Sequence, residues 1–237
     1  MTSKSLAENE KHLIEIEIRL NQTKNESETT LNDDSFADLT FDRFYGDGLT
    51  KIATKAFGKT ASTITTFNCR RCGIQNSPPN YDIWKMINQL SKLKLLSIGL
   101  DVSEIPSNAI AQTNQSLGYI RFYDGFDSRK NVTIKSGALK SSNKLMSITF
   151  FSMNIKRIER EAFKLSNHSK FVDILFSSSN INGDSFEWGA FDGIERPIWI
   201  TFQGVNIHYI PQSTFNKVLN RTQNVIIFKP SYLQKSY

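Results

Sequence analysis

Apolar residues recur along the 237-residue chain in one spacing, apolar-x-x-apolar-x-apolar, which returns every 24–29 residues. The clearest copy begins at Leu145 and continues through Ile148 and Phe150 to Met153 and Ile155. Because side chains alternate along a strand, the second and third apolar residues of each copy point to the same side. The pattern predicts a series of short strands whose third apolar residues are Phe41, Cys69, Ile98, Phe122, Phe150, Phe176, Phe202 and Phe228.

A second apolar motif follows several of these predicted strands. Residues 155–163 read Ile-x-x-Ile-x-x-x-Ala-Phe, and similar motifs begin at Leu49, Val102 and Ile207. Later copies of the strand triplet begin at Phe171 and Pro197. Alternating strand and returning segments predict units that cover their apolar side chains only by stacking on their neighbours.

The strand pattern resembles the leucine-rich repeat, L-x-x-L-x-L-x-x-N/C-x-L, and residues 64–74 match it over its full length. The resemblance implies an α/β leucine-rich-repeat solenoid. Such a solenoid has a curved parallel β-sheet on the concave side and short helices or irregular segments on the convex side. The Ile- and Phe-rich strands and the Ala-Phe returns look like secreted arthropod leucine-rich-repeat proteins, a group similar to the non-catalytic subunit of shrimp luciferase. The chain departs from many extracellular members in lacking flanking cysteine caps.

The repeats divide the chain into a polar lead-in, residues 1–35, and a solenoid of about eight units, residues 36–237. Within the lead-in, residues 13–20 alternate apolar and charged side chains, which predicts a cap strand, with an amphipathic helix as the alternative. The first full unit is predicted at Phe36-x-x-Leu39-x-Phe41. Apolar residues at helical spacing between 83 and 93 predict one helix, with Asn80 as its N-cap.

The net charge of +6 is unevenly distributed. Residues 1–35 carry four Lys or Arg against eight Asp or Glu, and the rest carries 25 against 15. This asymmetry suggests an acidic protein or an anionic glycan as partner of the basic part, but scattered solvating lysines are the preferred interpretation of the charge alone. No run of basic residues exceeds two, which argues against nucleic acid. No apolar stretch approaches the 18 residues of a membrane span, so none is predicted.

Cys69-Arg-Arg-Cys72 is the motif with the clearest potential chemistry, but both cysteines fall on inward positions of the repeat. Buried structural thiols are the preferred interpretation, and a local disulfide is the alternative. A zinc site is disfavoured because the three histidines lie in unrelated units, so no metal or cofactor is expected. No phosphate-binding loop or nucleophile motif occurs, so the sequence predicts a protein that is not an enzyme.

Sequons for N-glycosylation occur six times. Three of them precede a predicted strand by a similar distance, which places them on one exposed loop edge. The sequons favour a secreted glycoprotein. The beginning of the sequence lacks the apolar run of a secretory signal, so either a signal has been removed or the protein is cytoplasmic. The better acceptors are Asn114, Asn131, Asn167 and Asn220, whereas Asn21 and Asn25 lie in the lead-in.

The residues between the inward positions point to the opposite side of each strand and are free to bind a ligand. Tyr, Trp and Arg dominate the energetics of protein interfaces, and several occur here. We therefore predict a binding module for a protein partner, with an accessory subunit of a separate enzyme and a cytosolic scaffold as alternatives. The predicted binding residues are Arg70, Tyr119, Arg121, Tyr123, Phe151, Leu175, Trp199 and Gln203. The smaller residues predicted on this side include Ser97, Gly99, Ser177 and Thr201.

Overall fold

The computed structural model contains a large parallel β-sheet, smaller parallel sheets and few helices. It describes residues 12–19, 29–36, 38–110, 116–125, 130–141, 144–168, 170–205, 207, 209–220 and 223–229. The α/β class predicted from the sequence is confirmed at this level.

Within this part of the chain, sixteen strands and two helices are numbered in chain order. The strands are β1 His12–Arg19, β2 Thr30–Leu31, β3 Thr40–Asp47, β4 Lys51–Ile52, β5 Thr66–Ile74, β6 Leu95–Leu100, β7 Glu104–Ile105, β8 Tyr119–Asp124, β9 Asn131–Ile134, β10 Leu139–Ser141, β11 Ser147–Phe151, β12 Asn154–Ile158, β13 Phe163–Leu165, β14 Val172–Ser177, β15 Ile198–Gln203 and β16 Val225–Lys229. The helices are α1 Ile83–Gln89 and α2 Asn216–Leu219, and three 3-10 turns span Gly58–Ser62, Gly183–Ser185 and Gln212–Phe215.

The main sheet has nine strands in the order β1-β3-β5-β6-β8-β11-β14-β15-β16, and every neighbouring pair is parallel. Strand order therefore follows chain order without a reversal. From β5 onward, the register aligns the residues that the apolar pattern placed third in each triplet. The aligned residues are Cys69, Ile98, Phe122, Phe150, Phe176, Phe202 and Phe228.

The returning segments form the smaller parallel sheets, β7-β9-β12, β10-β13 and β2-β4. Their apolar side chains are buried together with those of the main sheet in one core. Phe163 of β13, for example, lies 6.3 Å from Phe150 of β11 between ring centroids. The core is therefore enclosed between the main sheet and the returning segments.

A column of phenylalanines fills much of this core. The ring centroids of Phe150 and Phe176 are 5.1 Å apart, and those of Phe176 and Phe202 are 5.2 Å apart, with nearly parallel planes. A second stack on the returning side joins Phe163 to Phe191 at 5.2 Å. Stacked aromatic rings bury a large apolar area and add favourable ring–ring contacts. The repeated phenylalanines thus stabilise the fold along the whole second half of the sheet.

The first predicted unit was placed in the wrong register. The structure pairs Phe44 with Phe67, so the first triplet is Phe41, Phe44 and Gly46, not Phe36, Leu39 and Phe41. Both Phe41 and Phe44 are fully buried. The apolar pattern failed because a glycine occupies the third position. A Cβ on Gly46 would lie 2.8 Å from the Sγ of Cys69, so only glycine fits there without a shift of its neighbours.

The main sheet also extends into the polar lead-in. Strand β1 covers most of the segment where alternation favours a strand, and Ile16 pairs with Phe44 of β3. Helix α1 forms where the apolar spacing predicts it, and this prediction is confirmed. Its N-cap is Asp82, however, whose carboxylate accepts a hydrogen bond from the N–H of Lys85 at 3.0 Å. The assignment of Asn80 is wrong because Asp82 directly precedes the first helical residue.

Cys69 and Cys72 form a disulfide inside the core. The preferred prediction of two free buried thiols is therefore wrong, and the alternative prediction of a local disulfide is confirmed. Reduction is expected to lower the free energy of unfolding by about 2 kcal/mol, because even a short cross-link restricts the unfolded chain. Urea unfolding with and without a phosphine reductant measures this difference. A Cys69→Ala/Cys72→Ala variant is the control, since its midpoint should not respond to the reductant. An equal midpoint for the oxidised and reduced protein would contradict a stabilising role.

Candidate functional site

The side of the main sheet turned away from the returning segments carries most of the predicted binding residues, and we call it the outer face. On β8 it presents Tyr119, Arg121 and Tyr123, and on β11 it presents Phe151. Tyr119 is 38% exposed and Phe151 is 41% exposed, although Phe150, the preceding residue, is fully buried. Strict alternation along the strand therefore separates the side chains that hold the core from those that face solvent.

The register brings Tyr123 and Phe151 into direct contact. They are paired residues of β8 and β11, and their ring centroids are 5.6 Å apart. Arg121 is paired with Thr149 on the same strands. Leu175 of β14 is paired with Thr149 on its other side and is half-buried. These five residues thus form a continuous surface across three strands.

Trp199 and Gln203 continue the outer face on β15, and both are exposed. The residue pairing continues from Tyr119 on β8 through one residue each of β11 and β14 to Trp199 on β15. Tyr119 and Trp199 are therefore at the same level of the sheet, three strands apart. At about 4.8 Å per strand, the two aromatic residues are separated by about 14 Å. The predicted set is therefore one surface on this half of the sheet, with Arg70 as the exception.

Arg70 lies on β5, two strands from β8 in the main sheet. The pairing of β5 with β6 is irregular between Cys69 and Ile74, and Arg70 is exposed within that irregular segment. It lines a small cleft of about 160 Å³ together with Glu17 and Tyr45. The assignment of Arg70 to the same binding surface as the aromatic residues therefore stays a prediction.

The small residues predicted on the outer face are largely buried. Ser97, Ser177 and Thr201 are at most 8% exposed, because the larger side chains on neighbouring strands cover them. Gly99 is covered by the backbone of the irregular segment, since a Cβ there would lie 2.1 Å from the carbonyl oxygen of Cys72. The exposed part of the outer face is therefore narrower than alternation predicts.

Two exposed apolar residues next to the outer face, Phe171 and Met146, were missed by the apolar pattern. Phe171 was assigned to an inward position, but Val172 takes that place and Phe171 is 48% exposed. Its ring stacks on Trp199 with centroids 4.6 Å apart. Met146, 41% exposed, lies one residue before β11. The alternation of Val172 with Ile174 would have identified Val172 as the inward residue.

One carboxylate lies among these aromatic residues. Asp173 is paired with Ser147 on one side and Trp199 on the other. Burial raises the pKa of Asp173 above its ordinary value, and attraction to Lys229 opposes this increase. The carboxylate is thus partly desolvated at the centre of an otherwise aromatic and basic surface.

Three of the predicted glycosylation sites lie in the described part of the chain, and all are exposed: Asn131, Asn167 and Asn220. The Oδ1 of Asn131 accepts a hydrogen bond from the Nδ2 of Asn154 at 2.6 Å, and the Oδ1 of Asn154 accepts one from the Nδ2 of Asn180 at 2.7 Å. The other sequons fall outside the described residues, namely Asn21, Asn25 and Asn114.

Among the described residues, no group of three or more His, Cys, Asp or Glu side chains could hold a metal ion. The helices described here are all too short or too polar to cross a membrane. The chain matches no known protein-family model, and comparison with curated proteins finds no significant relative.

Proposed function

We propose that this protein is a non-enzymatic leucine-rich-repeat binding module that recognises a protein partner through the outer face of its main sheet. The observation that carries the proposal is the contiguous surface of Arg121, Tyr123 and Phe151, with Trp199 nearby on the same face. Aromatic and arginine side chains in a cluster are typical of the centre of protein interfaces. An exposed apolar surface of this kind is a liability unless a partner covers it.

The solenoid architecture is part of this proposal. Its support is the main sheet itself, in which strand order equals chain order and every pair is parallel. The spacing of aligned residues is 26 residues for each of the last three steps, from Phe150 to Phe228. A stack of equal units with a shared core is the arrangement that repeat proteins use. In such an arrangement the outer face would be the concave surface.

We further propose that the partner is acidic or anionic. Residues 36–237 carry 25 Lys or Arg against 15 Asp or Glu. A surplus of positive charge attracts acidic partners over several ångströms and speeds their association. The short-range contacts of the outer face would then supply specificity.

A secreted location fits the proposal best. The Cys69–Cys72 disulfide is typical of an oxidising compartment, and exposed sequons supply acceptors for glycans. Enzymatic deglycosylation of the native protein should reduce its apparent mass if Asn131, Asn167 or Asn220 is modified. An unchanged mass would contradict the glycoprotein assignment and favour the cytosolic scaffold.

The binding function is tested by capture of a partner from the native source. An Arg121→Ala/Tyr123→Ala/Phe151→Ala variant should lose at least about tenfold in partner affinity, because hot-spot side chains carry most of an interface's binding energy. The matched control is Arg160→Ala/Trp188→Ala/Tyr209→Ala, which removes an exposed arginine and two exposed aromatic side chains outside the main sheet. Equal capture by both variants, with the fold intact, would contradict the proposal. A captured enzyme at fixed stoichiometry would identify the accessory-subunit alternative.

A further inference from the structure

A cleft of about 550 Å³ opens at the edge of the main sheet where β8, β11 and β14 begin, and we call it the edge cleft. The residues used here are Lys94, Tyr119, Lys144, Met146, His168 and Lys170, all of which line it. All of them lie on the loops that enter the strands or at the first strand residue. The cleft therefore adjoins the outer face but is built mainly from loop residues.

The interior of the edge cleft is apolar. Tyr119 and Met146 are its large apolar residues, and the Tyr119 hydroxyl lies 4.0 Å from the Met146 sulfur. The apolar surface continues beyond the cleft to the stacked rings of Phe171, which directly precedes β14, and Trp199 of β15. Apolar side chains of a ligand would therefore find contacts along several strands.

The charge of the edge cleft has a single sign. Three lysines line it, and none of the lining residues is acidic. Lys94 and Lys170 are both exposed. Positive side chains around an apolar concave surface are complementary to a ligand that combines carboxylates with apolar groups.

Several of these residues are held in place by backbone and side-chain hydrogen bonds. The buried Arg196 donates from Nε and Nη2 to the carbonyl oxygen of Lys170 at 2.9 and 2.7 Å. The N–H of Lys170 donates to Nδ1 of His168 at 3.0 Å. The N–H of Met146 donates to the carbonyl of Gly118 at 2.8 Å. A cleft whose backbone is fixed in this way loses little conformational freedom when a ligand binds.

We propose that the edge cleft binds an extended acidic peptide segment of the partner, with carboxylates beside the lysines and apolar side chains against Tyr119 and Met146. This inference rests on the proposed binding function and adds the chemistry of the bound segment. A peptide fits better than a lipid surface, because the site is concave and a membrane is bound by protruding apolar side chains.

A fluorescently labelled eight-residue peptide that alternates Glu with Leu is the probe, and fluorescence anisotropy measures its affinity for the full chain. We expect binding that weakens with salt. A Lys94→Gln/Lys170→Gln variant should weaken it roughly five- to tenfold, the effect of losing two exposed ion pairs. The matched control is Lys85→Gln/Lys156→Gln, which removes the same charge from α1 and β12 and should leave the affinity unchanged.

Two further comparisons complete the test. A peptide with Gln in place of Glu should bind the wild-type chain more weakly, and Met146→Ser should weaken the Glu–Leu peptide without changing net charge. Equal affinity of both lysine variants would overturn the inference. Binding to vesicles of phosphatidylcholine and phosphatidylserine in the absence of peptide binding would overturn it in favour of a lipid surface. The outer-face variant Arg121→Ala/Tyr123→Ala/Phe151→Ala keeps every side chain used here, so failure of the proposed function is detected separately.

Discussion

Replacing Phe150 by alanine is expected to lower the free energy of unfolding by about 3–5 kcal/mol. The side chain is fully buried and stacks on Phe176 with ring centroids 5.1 Å apart. It also contacts Phe122 at 5.6 Å and Phe163 at 6.3 Å. Truncation removes apolar contacts on three sides and leaves a cavity that the stacked rings cannot fill without moving. Urea unfolding of the full chain measures the loss.

The matched control is the next residue. Phe151→Ala makes the same chemical change on the same strand, but Phe151 is 41% exposed and lies on the outer face. Its cost should stay below about 1 kcal/mol, as expected for a surface position. Similar losses for Phe150→Ala and Phe151→Ala would show that the core does not lie on one side of the strand. That result would remove the basis for assigning partner binding to the outer face.

Gly99→Ala should cost about 1–3 kcal/mol, in the range observed for overpacked cores. A Cβ at Gly99 would lie 2.1 Å from the carbonyl oxygen of Cys72 and 2.7 Å from that of Arg70. Both oxygens belong to the backbone, and the disulfide between Cys69 and Cys72 restrains the segment that carries them. The new methyl group therefore cannot be accommodated by rotation of a flexible side chain.

Gly118→Ala is the control for this prediction. Gly118 is also buried, but the nearest atom to its added Cβ is 3.6 Å away, an ordinary contact distance. Alanine there should leave stability unchanged or raise it slightly, because it restricts the unfolded chain. Equal stability of both variants in thermal unfolding would contradict the close approach of the irregular segment to Gly99.

The sequence predicted the second half of the main sheet well, because large apolar residues recur there at a constant interval. Phe150, Phe176 and Phe202 occupy aligned positions in the structure. The prediction failed at Gly46, where the third position needs a residue without a side chain, and at Phe171, where Val172 is the residue that points into the core. At Gly46 a contact with a neighbouring strand decides the register, and such a contact has no signal in local spacing.

The candidate site was predictable in part for the same reason. Strand alternation correctly exposes Tyr119 and Phe151, and the contact of Phe151 with Tyr123 follows from the register. For Arg70 the alternation is interrupted, because β5 is irregular after Cys69. The edge cleft was missed because Lys94, Lys144 and Lys170 come from three loops whose path depends on tertiary hydrogen bonds. Repeat spacing describes strands and gives no information about such loops.

The central claim is that the outer face of the main sheet binds the partner while the residues beneath it only hold the fold. Hydroxyl-radical footprinting of the free chain and of the chain bound to its captured partner tests this claim most directly. Tyr119, Phe151 and Trp199 should be oxidised in the free chain and protected in the complex, with Phe150 unmodified in both. Protection confined to exposed side chains outside the main sheet, such as Trp188, Tyr209 and Leu219, would contradict the claim.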